Sequence, residues 1–596
     1  MSLALPELAV FAGHLGPGQV ELTAPLGQHY GFSFFSHRPT EQLTIAQSVP
    51  SGSTFAGVAR ARLDNLEAVK RRLGLPAPAD LEQVISHGFR SDQERFPDAL
   101  LGEFSLAVFD QANHTLWCAR VAVGVFPFFY CQAGESFFFA SHLEALLAIP
   151  AVPVEVDEET IARFLQHHHF FRPQATFFRH IKRLPAGHAL ALRGCNLKIT
   201  RYFRPDEIPA VQLPSEADYV HLIHTTVEKA VARRATGAAH LGTHLSGGLD
   251  SSLLTVFAAQ ANPKKLTGFS WSFPPPDGDE ALPAEDERSR VLALAKRLEI
   301  GCEFTVRYAH EIRHHLLQDP SLERSVMTHT EEPVARRASE LGVQVILSGW
   351  GGDEFLSSNG RGVLARQLLR GRLLEVFREC RAAARRNAST IAREAWARVL
   401  PPLLPDALYR RRYPNQTGKT FIDAEFAARM PVEEPMIRDH IGLRENMLQL
   451  WRLGHLGQRV ESWAAQGQPL GIVYRYPLLD RQVVELAFAL PETLFFRAGF
   501  SRYIFRKFAE PMLGSDWAWG RPKHEVTPLQ FRKVPNLDPS PGLVRDSVQA
   551  LAEAPPHHYI DWKSLLASWE DPTVRGELRS RALQMAFLNP QHRRRC

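Results

Sequence analysis

The sequence has few cysteines, no long apolar run and no recognisable secretion signal. Its six cysteines are scattered over 596 residues without CxxC spacing, which argues against a zinc site and against a disulfide framework. No apolar run approaches the roughly 18 residues that a membrane span needs, and the first residues carry no basic segment. These absences predict a cytoplasmic protein with more than one domain and no membrane partner.

Charge of one sign is not in large excess either. The chain has 69 lysines and arginines, 64 aspartates and glutamates, and a formal net charge of +5, which does not require an anionic partner. Thirteen arginines and four acids fall within residues 361–412, but no aromatic platform alternates with that charge, so we expect no nucleic-acid partner. This segment is either a solvated helical face or a basic wall for a peptide carboxylate or for partner proteins.

The most informative stretch is a turn rich in glycine and serine at residues 245–252. An apolar run at residues 239–245 reads as a strand before it, and an apolar run of helical spacing follows at residues 253–259. Glycines let the backbone expose its N–H groups, and serine hydroxyls and a helix N-terminus add further donors for a phosphate. The predicted phosphate-binding residues are Leu245, Ser246, Gly247, Gly248, Asp250, Ser251 and Ser252.

Asp250 is a carboxylate in a turn that otherwise suits an anion, which makes sense if Mg²⁺ lies between it and the phosphate. A second glycine-rich turn follows the apolar run at residues 343–347 and supplies Ser348, Gly349 and Asp353. Two carboxylates that converge on one pyrophosphate would repel each other without a cation. This second turn resembles the LSGEGADE stretch of asparagine synthetases, and that resemblance implies that Asp353 shares a Mg²⁺ ion with Asp250.

These two turns resemble known motifs. Residues 245–252 resemble the pyrophosphate loop of ATP pyrophosphatases, and residues 347–354, LSGWGGDE, resemble the LSGEGADE stretch of asparagine synthetases. The resemblance implies that ATP is cleaved between its α- and β-phosphates, giving an acyl-adenylate and pyrophosphate. A parallel sheet would hold the nucleotide at the carboxyl ends of its strands, which makes Trp271 a candidate adenine contact, although Trp271 also suits a strand core.

The resemblance continues toward the end of the chain. Residues 474–481 are similar to the RVPFLDR stretch of the family, and residues 499–507 are similar to the helix that follows it. The family then carries a lysine that reaches the α-phosphate and the developing oxyanion. This implies a catalytic role for Lys523, with Arg521 in support.

Residues 1–205 are rich in strand patterns, among them 8–12, 102–110 and 136–140, and short helices are expected at 66–73 and 143–147. This part of the chain resembles the glutamine amidotransferase domain of asparagine synthetases. Residues 102–110, 119–130 and 139–142 stand where the family has GDFAFALWD, ARDPLGxRPLYY and FASE. A working glutaminase of this kind needs a cysteine directly after the initiator methionine, and this chain has Ser2. The expected fold is an N-terminal-nucleophile-type β sandwich without its nucleophile, followed over residues 206–596 by an α/β synthetase domain with a parallel sheet and helical additions.

Trp350 decides which member of the family this chain resembles most. Asparagine synthetases have a glutamate there that is implicated with the substrate amino acid, and beta-lactam synthetases have a tyrosine that helps to deprotonate the nucleophile. The run GWGGDE, followed by residues 359–362, looks most like lasso-peptide cyclases. That resemblance implies that an Asp or Glu side chain of a precursor core peptide is adenylated and joined to the peptide's own amine. It also implies a leader-peptide protease and a leader-recognition protein as partners.

Three alternatives stay open. The chain could be a beta-lactam-type synthetase of a small molecule, or an ammonia-dependent asparagine synthetase, against which Trp350 argues. A non-catalytic scaffold is the third, and the presence of Ser246, Asp250, Asp353 and Lys523 together argues against it.

Overall fold

The computed structural model describes most of the chain. The described residues are 11–15, 35–38, 41–44 and 55–568, except 80, 111, 135, 148, 168–171, 262–264, 273–286, 306–327, 413–420, 431–437, 521–548, 550–551 and 554–557. In this part of the chain, no helix has the length and apolar character to cross a bilayer. The five cysteines that it includes are free thiols.

Two antiparallel sheets form the front of the molecule, as the strand patterns predict. The strands are β1 (Phe11–Leu15), β2 (Phe35–Arg38), β3 (Glu41–Thr44), β4 (Phe55–Leu63), β5 (Gly102–Asp110), β6 (Thr115–Arg120), β7 (Phe129–Ala133), β8 (Ser136–Ala140), β9 (Ile181–Arg183), β10 (His188–Arg193) and β11 (Asn196–Arg201). One sheet has the order β3-β2-β1-β8-β7-β9 and the other β11-β10-β6-β5-β4. Phe128 and Phe139 stack between them in a buried cluster with Leu190. The predicted strands at 102–110 and 136–140 are confirmed.

The second half contains a five-stranded sheet in which every neighbouring pair is parallel. Its strands are β12 (Leu241–His244), β13 (Leu266–Ser270), β14 (Gly301–Phe304), β15 (Val345–Leu347) and β16 (Val473–Arg475), in the order β14-β13-β12-β15-β16. All residues of β12, β13, β15 and β16 are buried, as expected for strands covered on both faces. The predicted α/β architecture is confirmed. A two-stranded ribbon, β17 (Phe496–Arg497) and β18 (Phe500–Ser501), lies apart from this sheet.

Helices cover these sheets and extend the second half. They are α1 (Leu66–Leu73), α2 (Leu81–Asp92), α3 (Leu143–Leu147), α4 (Glu158–His167), α5 (Glu216–Ala235), α6 (Leu249–Ala261), α7 (Glu287–Leu298), α8 (Thr328–Glu340), α9 (Val363–Leu369), α10 (Leu373–Asn387), α11 (Ile391–Arg398), α12 (Asp406–Arg412), α13 (Ala424–Arg429), α14 (Leu443–Arg452), α15 (His455–Gly467), α16 (Arg481–Ala489), α17 (Tyr503–Leu513), α18 (Ser515–Trp519) and α19 (Trp562–Ala567).

The arginine-rich segment forms helices that bury some apolar residues, such as Val363 and Val376, and leave others exposed. Leu369, Leu373, Leu374 and Phe377 are between 51% and 73% exposed, and Trp396 is 52% exposed. The apolar spacing of this segment therefore marks a helical face, but that face does not enter the core.

A buried ionic cluster joins the two halves. Arg234, on α5, lies 2.6 Å from Asp64 and 3.0 Å from Glu103 in the front half, and 3.2 Å from Asp480 in the second half. All four side chains are at most 6% exposed. Arg62 and Arg233 contact the same carboxylates, so three cations balance three anions. We call these six residues the interdomain ionic cluster.

A second contact between the halves is centred on Glu461 of α15. Its carboxylate pairs with Arg120 and Arg183, and the side chains of all three are at most 8% exposed. Trp451 donates its indole N–H to Ala122 O at 3.1 Å and stacks on His188. These residues line a cavity of about 240 Å³ between the two halves.

Candidate active site

The order of the parallel sheet places the two glycine-rich turns side by side. The chain moves from β12 to β13 and β14 on one side, and β15 and β16 lie on the other side of β12. The carboxyl ends of β12 and β15 therefore form a point where the direction of winding reverses, which is where open α/β sheets bind ligands. Because Thr243 pairs with Leu347, the turns that follow the two strands leave the same edge of the sheet.

The first turn is shaped by Gly247 and by hydroxyl groups. Gly247 has a φ of +73°, which glycine adopts readily, and a Cβ there would lie 3.1 Å from Glu287 O. The hydroxyls of Ser246 and Ser251 lie 3.0 Å apart, and Ser251 Oγ accepts a hydrogen bond from Ser246 N. The hydroxyl of Ser252 is buried and has no hydrogen-bond partner among the described residues. The turn thus presents hydroxyls at the start of α6, an arrangement that suits a phosphate.

The second turn approaches the first through two glycines. A Cβ on Gly349 would lie 2.8 Å from the backbone nitrogen of Ser251, and a Cβ on Gly352 would overlap Oδ1 of Asp250. Ser348 anchors the start of this turn, since its N–H donates to Arg475 O on β16 and its hydroxyl accepts from Trp350 N. Side chains larger than glycine would push the two turns apart.

Asp250 and Asp353 lie together, as the spacing of the motifs predicts. Nη1 of Arg502 lies 3.1 Å from Asp250 Oδ2 and 2.6 Å from Asp353 Oδ1, so one guanidinium bridges both carboxylates. Arg502 directly precedes α17 and has a φ of +59°, a backbone conformation that residues other than glycine rarely adopt. A cationic group therefore lies between the two acids.

The charge of both acids suits a divalent cation, and only Asp250 is largely buried: its side chain is 14% exposed, whereas that of Asp353 is 59% exposed. Burial, together with the charge of Asp353 nearby, raises the pKa of Asp250 to about 7, although Arg502 opposes the shift. Oδ1 of Asp250 is buried and accepts no hydrogen bond from a described residue. No group of three or more metal-ligating side chains occurs in the described part of the chain. Two carboxylates would thus hold Mg²⁺ only with additional oxygens, such as those of a phosphate.

Trp271 lies at the carboxyl end of β13, where the sequence predicts an adenine contact. Its indole N–H donates to Glu331 Oε2 at 2.9 Å, and the other oxygen of Glu331 lies 2.9 Å from Nε2 of His244. His244 and Glu331 are essentially inaccessible to water. Trp271 is thus fixed beside the site, and part of its polar edge is already engaged.

Helix α15 contributes three residues that the sequence motifs did not reveal. His455, Arg459 and Trp463 recur every four residues, so they share one face of the helix. His455 Nε2 lies 3.9 Å from Oε1 of Glu354, which directly follows Asp353. Burial and the charge of Asp353 raise the pKa of Glu354 to about 7. The four-residue spacing of these side chains could have revealed this face from the sequence. Arg502 could likewise have been noticed, because it lies within the family-like stretch at residues 499–507.

Three residues of the sequence hypothesis lie outside the described residues. These are Lys523 and Arg521, to which the resemblance assigns the catalytic step, and Ser2, which stands in place of the glutaminase cysteine. Their assignments stay predictions.

Two family models match the chain. The asparagine synthase model matches residues 222–588, which is more than half of the chain, and the glutamine amidotransferase domain model matches residues 67–203. A solved structure of glutamine phosphoribosylpyrophosphate amidotransferase from B. subtilis covers 57% of this chain and 75% of its own at 10% identity. Its TM-score of 0.21 is too low to support any inference.

Curated relatives agree with the family models. Glutamine-hydrolyzing asparagine synthetase 3 of Bacillus subtilis is 32% identical over 213 residues, which cover 35% of this chain and 34% of the relative. A putative glutamine-hydrolyzing asparagine synthetase of Mycobacterium tuberculosis is 29% identical, covering 43% of this chain and 39% of the relative. Glutamine-hydrolyzing asparagine synthetase 1 of B. subtilis is 22% identical over 72% of this chain and 68% of its own length. The first two matches thus span well under half of the relatives' length. By the match to more than half of its residues, the chain belongs to the asparagine synthase family.

Proposed function

We propose that the protein is an ATP- and Mg²⁺-dependent ligase that adenylates a carboxylate, releases pyrophosphate and forms an amide bond as AMP departs. The observation that carries this proposal is the meeting of Asp250 and Asp353 at the point where the winding of the parallel sheet reverses. The first turn combines hydroxyls and the N–H groups at the start of α6 with the carboxylate of Asp250, and the second turn adds the carboxylate of Asp353. This combination suits a phosphate with its cation better than either ligand alone.

Each turn has a separate task in this proposal. The hydroxyls of Ser246, Ser251 and Ser252 and the N–H groups at the start of α6 bind the pyrophosphate part of ATP. Asp250 and Asp353 would hold Mg²⁺, which when bound neutralises charge on the phosphates. Lys523, supported by Arg521, is proposed to stabilise charge that develops at the α-phosphate and at the acyl oxygen.

The finer proposal is that the substrate is a short peptide, as in lasso-peptide cyclases. The carboxylate and the amine then belong to one molecule, and the site has to hold both groups close together, which is worth several kcal/mol. Trp350 supports this choice because an indole cannot bind the amine of aspartate as a glutamate would. A precursor core peptide is the proposed substrate. A leader-peptide protease and a leader-recognition protein are the proposed partners.

Ammonia-dependent asparagine synthesis is the second candidate, because the curated relatives are named asparagine synthetases. A beta-lactam-type reaction on a small molecule is the third. The two small-molecule reactions differ from peptide cyclisation in a simple way, since only cyclisation removes one water from a peptide without adding a second substrate.

Pyrophosphate release by the purified full-length chain tests these proposals. The protein would be incubated with Mg²⁺ and ATP, together with aspartate and ammonium or with the linear core peptide from a neighbouring reading frame. We expect pyrophosphate release that depends on the peptide, and a peptide product lighter by one water. Release with aspartate and formation of asparagine would instead establish the second candidate.

The metal-binding pair provides the matched variants. Asp250→Ala and Asp353→Ala are expected to abolish AMP formation while the thermal unfolding midpoint stays close to that of the native chain. Normal turnover by either variant would contradict the assignment of the metal. Ser2→Ala is expected to leave the rate unchanged, and hydrolysis of glutamine by the native chain would contradict the loss of glutaminase function.

A further inference from the structure

Trp350, Arg459 and Trp463 form a compact cluster beside the two turns, which we call the Arg–Trp cluster. The guanidinium carbon of Arg459 lies 5.3 Å from the ring centroid of Trp350 and 5.0 Å from that of Trp463. Both distances are within the range of a cation–π interaction. Trp463 is 1% exposed and stacks on Tyr476, so one side of the cluster is fixed by the core.

Arg459 is half-buried, and it differs from the buried arginines Arg120 and Arg475 because no described residue accepts a hydrogen bond from it. Arg120 donates to three backbone carbonyls and to Glu461, and Arg475 donates to Arg234 O and Thr236 O. No described residue forms an ion pair or a hydrogen bond with Arg459, and its Nε is buried without a partner. A guanidinium has five N–H donors, and donors held away from water without an acceptor are costly.

The contact with Trp350 places Arg459 next to the second turn of the candidate site. Trp350 belongs to the second turn, two residues from Ser348 and three from Asp353. Glu354 lies near enough to favour the charged form of Arg459, but it is not within ion-pairing distance. The position therefore combines a fixed positive charge, two aromatic faces and vacant donors directly beside the proposed Mg²⁺ ligands.

We propose that Arg459 is a substrate-binding residue that receives a carboxylate of the substrate through its planar N–H donors. This inference rests on the ligase function proposed above and specifies how its substrate is recognised. Guanidinium and carboxylate match as a bidentate pair, and the flanking indoles hold the guanidinium plane without supplying a competing negative charge. A glutamate at position 350, as in asparagine synthetases, would form an ion pair with Arg459 and occupy its N–H donors. Trp350 thus leaves the cation available for a substrate acid.

Two sources of the carboxylate share this chemistry, namely an acidic side chain and a main-chain terminus. Binding of the reacting carboxylate would hold it before adenylation, whereas binding of a second carboxylate would anchor the rest of the substrate. Small capped amino acids distinguish the two. N-acetylglutamate α-amide carries only the side-chain acid, N-acetylalanine carries only the main-chain acid, and N-acetylglutamine α-amide is a neutral analogue.

Binding of these probes to the full-length chain tests the proposal. Ligand-observed NMR would measure their affinity in the presence of Mg²⁺ and a non-hydrolysable ATP analogue. We expect millimolar binding of at least one acid and at least tenfold weaker binding of the neutral amide. Arg459→Gln should weaken binding of that acid at least tenfold, and Arg459→Lys should retain part of it. Arg71→Gln, which alters an exposed arginine on α1 in the front half, should leave it unchanged.

A reciprocal variant keeps the test decisive if Arg459→Gln fails to fold. Trp350→Glu should lose acid binding although Arg459 is still present, because the new carboxylate pairs with it. Equal affinity for acid and amide, undiminished binding by both variants, or no acid binding by the native chain would overturn the proposal. Binding of the ATP analogue, followed in parallel, separates the two hypotheses. If the native chain does not bind the ATP analogue, the result contradicts the ligase function. If it binds the analogue but neither acid, the result contradicts only the role of Arg459.

Discussion

At the scale of single residues, the site depends on side chains that are missing as much as on those that are present. Gly349 and Gly352 allow the second turn to touch the backbone and the carboxylate of the first. The bridge from Arg502 to Asp250 and Asp353 exists only because the turns approach so closely. Asp250 and Asp353 can therefore lie this close only because Gly349 and Gly352 have no Cβ atom.

Gly352→Ala should separate the turns. The added methyl would overlap Oδ1 of Asp250, so Asp250 has to move relative to Asp353. A displacement of about 1 Å at reacting groups lowers a rate by roughly a hundredfold. Pyrophosphate release should fall by about that factor, with little change in the thermal midpoint. Gly301→Ala is a suitable control because its Cβ would meet only Thr267 Oγ1, at 3.9 Å, and its φ is not positive; activity equal to that of this control would contradict the prediction.

Single residues also show where prediction from sequence succeeded and where it could not. Asp250 and Asp353 each follow a strand and glycines, and the resemblance of both turns to a known family indicated that they would meet. Arg502 and Arg459 carry no such pattern, because their roles arise from contacts with residues more than a hundred positions away in the chain. Lys523 and Arg521 stay predictions, since they lie outside the described residues.

At the scale of secondary-structure elements, the buried Glu331 of α8 connects this helix to the carboxyl ends of β12 and β13. Glu331 on α8 accepts from Trp271, which follows β13, and lies within hydrogen-bonding distance of His244 at the end of β12. The strands and helices of the predicted sheet were readable from hydrophobic periodicity, and the bounds of α1, α3, β5 and β8 agree with those predicted. The sheet order was not readable from periodicity, because β15 pairs with β12 across about a hundred residues.

Glu331→Ala should loosen this connection. The indole N–H of Trp271 and the ring of His244 would lose their buried partner, and hydrogen bonds to a charged acceptor contribute about 2 kcal/mol. We expect unfolding at lower urea concentration, measured by tryptophan fluorescence. Glu340→Ala, on the same helix but exposed, should leave the midpoint nearly unchanged. Equal midpoints for the two variants would show that Glu331 contributes no stability.

At the scale of the whole molecule, the front half and the second half share buried charge. The interdomain ionic cluster takes Asp64 and Glu103 from one half and Arg233, Arg234 and Asp480 from the other. Buried charges of this kind are tolerated only when their partners stay in place. The sequence resemblance indicated two domains, but nothing in either motif set indicated how they were joined.

Arg234→Met should therefore be strongly destabilising. The substitution leaves three buried carboxylates with two arginines, and loss of one partner from a buried ionic group costs about 3–5 kcal/mol. The expected result is a clear fall in the thermal midpoint of the full chain. Lys229→Met, at an exposed position on the same helix, is the matched control. An unchanged midpoint for Arg234→Met would contradict the structural role of the cluster.

The second contact between the halves should respond to pH through His188. Burial lowers the pKa of His188, and the charges of Arg201 and Arg120 lower it further. The folded state therefore binds fewer protons than the unfolded state, so the stability contributed by this residue is present above the unfolded pKa of about 6.5 and is lost as the pH falls below it. The thermal midpoint of the native chain should fall more between pH 7.5 and 5.5 than that of His188→Gln. Parallel pH profiles would contradict this prediction.

The interdomain ionic cluster also constrains how such a gene can change over time. Even if the front half takes no part in catalysis, the cluster makes it part of the fold. A deletion that removed Asp64 and Glu103 would expose Arg234 and its neighbours to water without their partners, although these side chains are buried in the intact protein. We therefore expect the front half to be retained during evolution, because its loss would require several compensating substitutions at once.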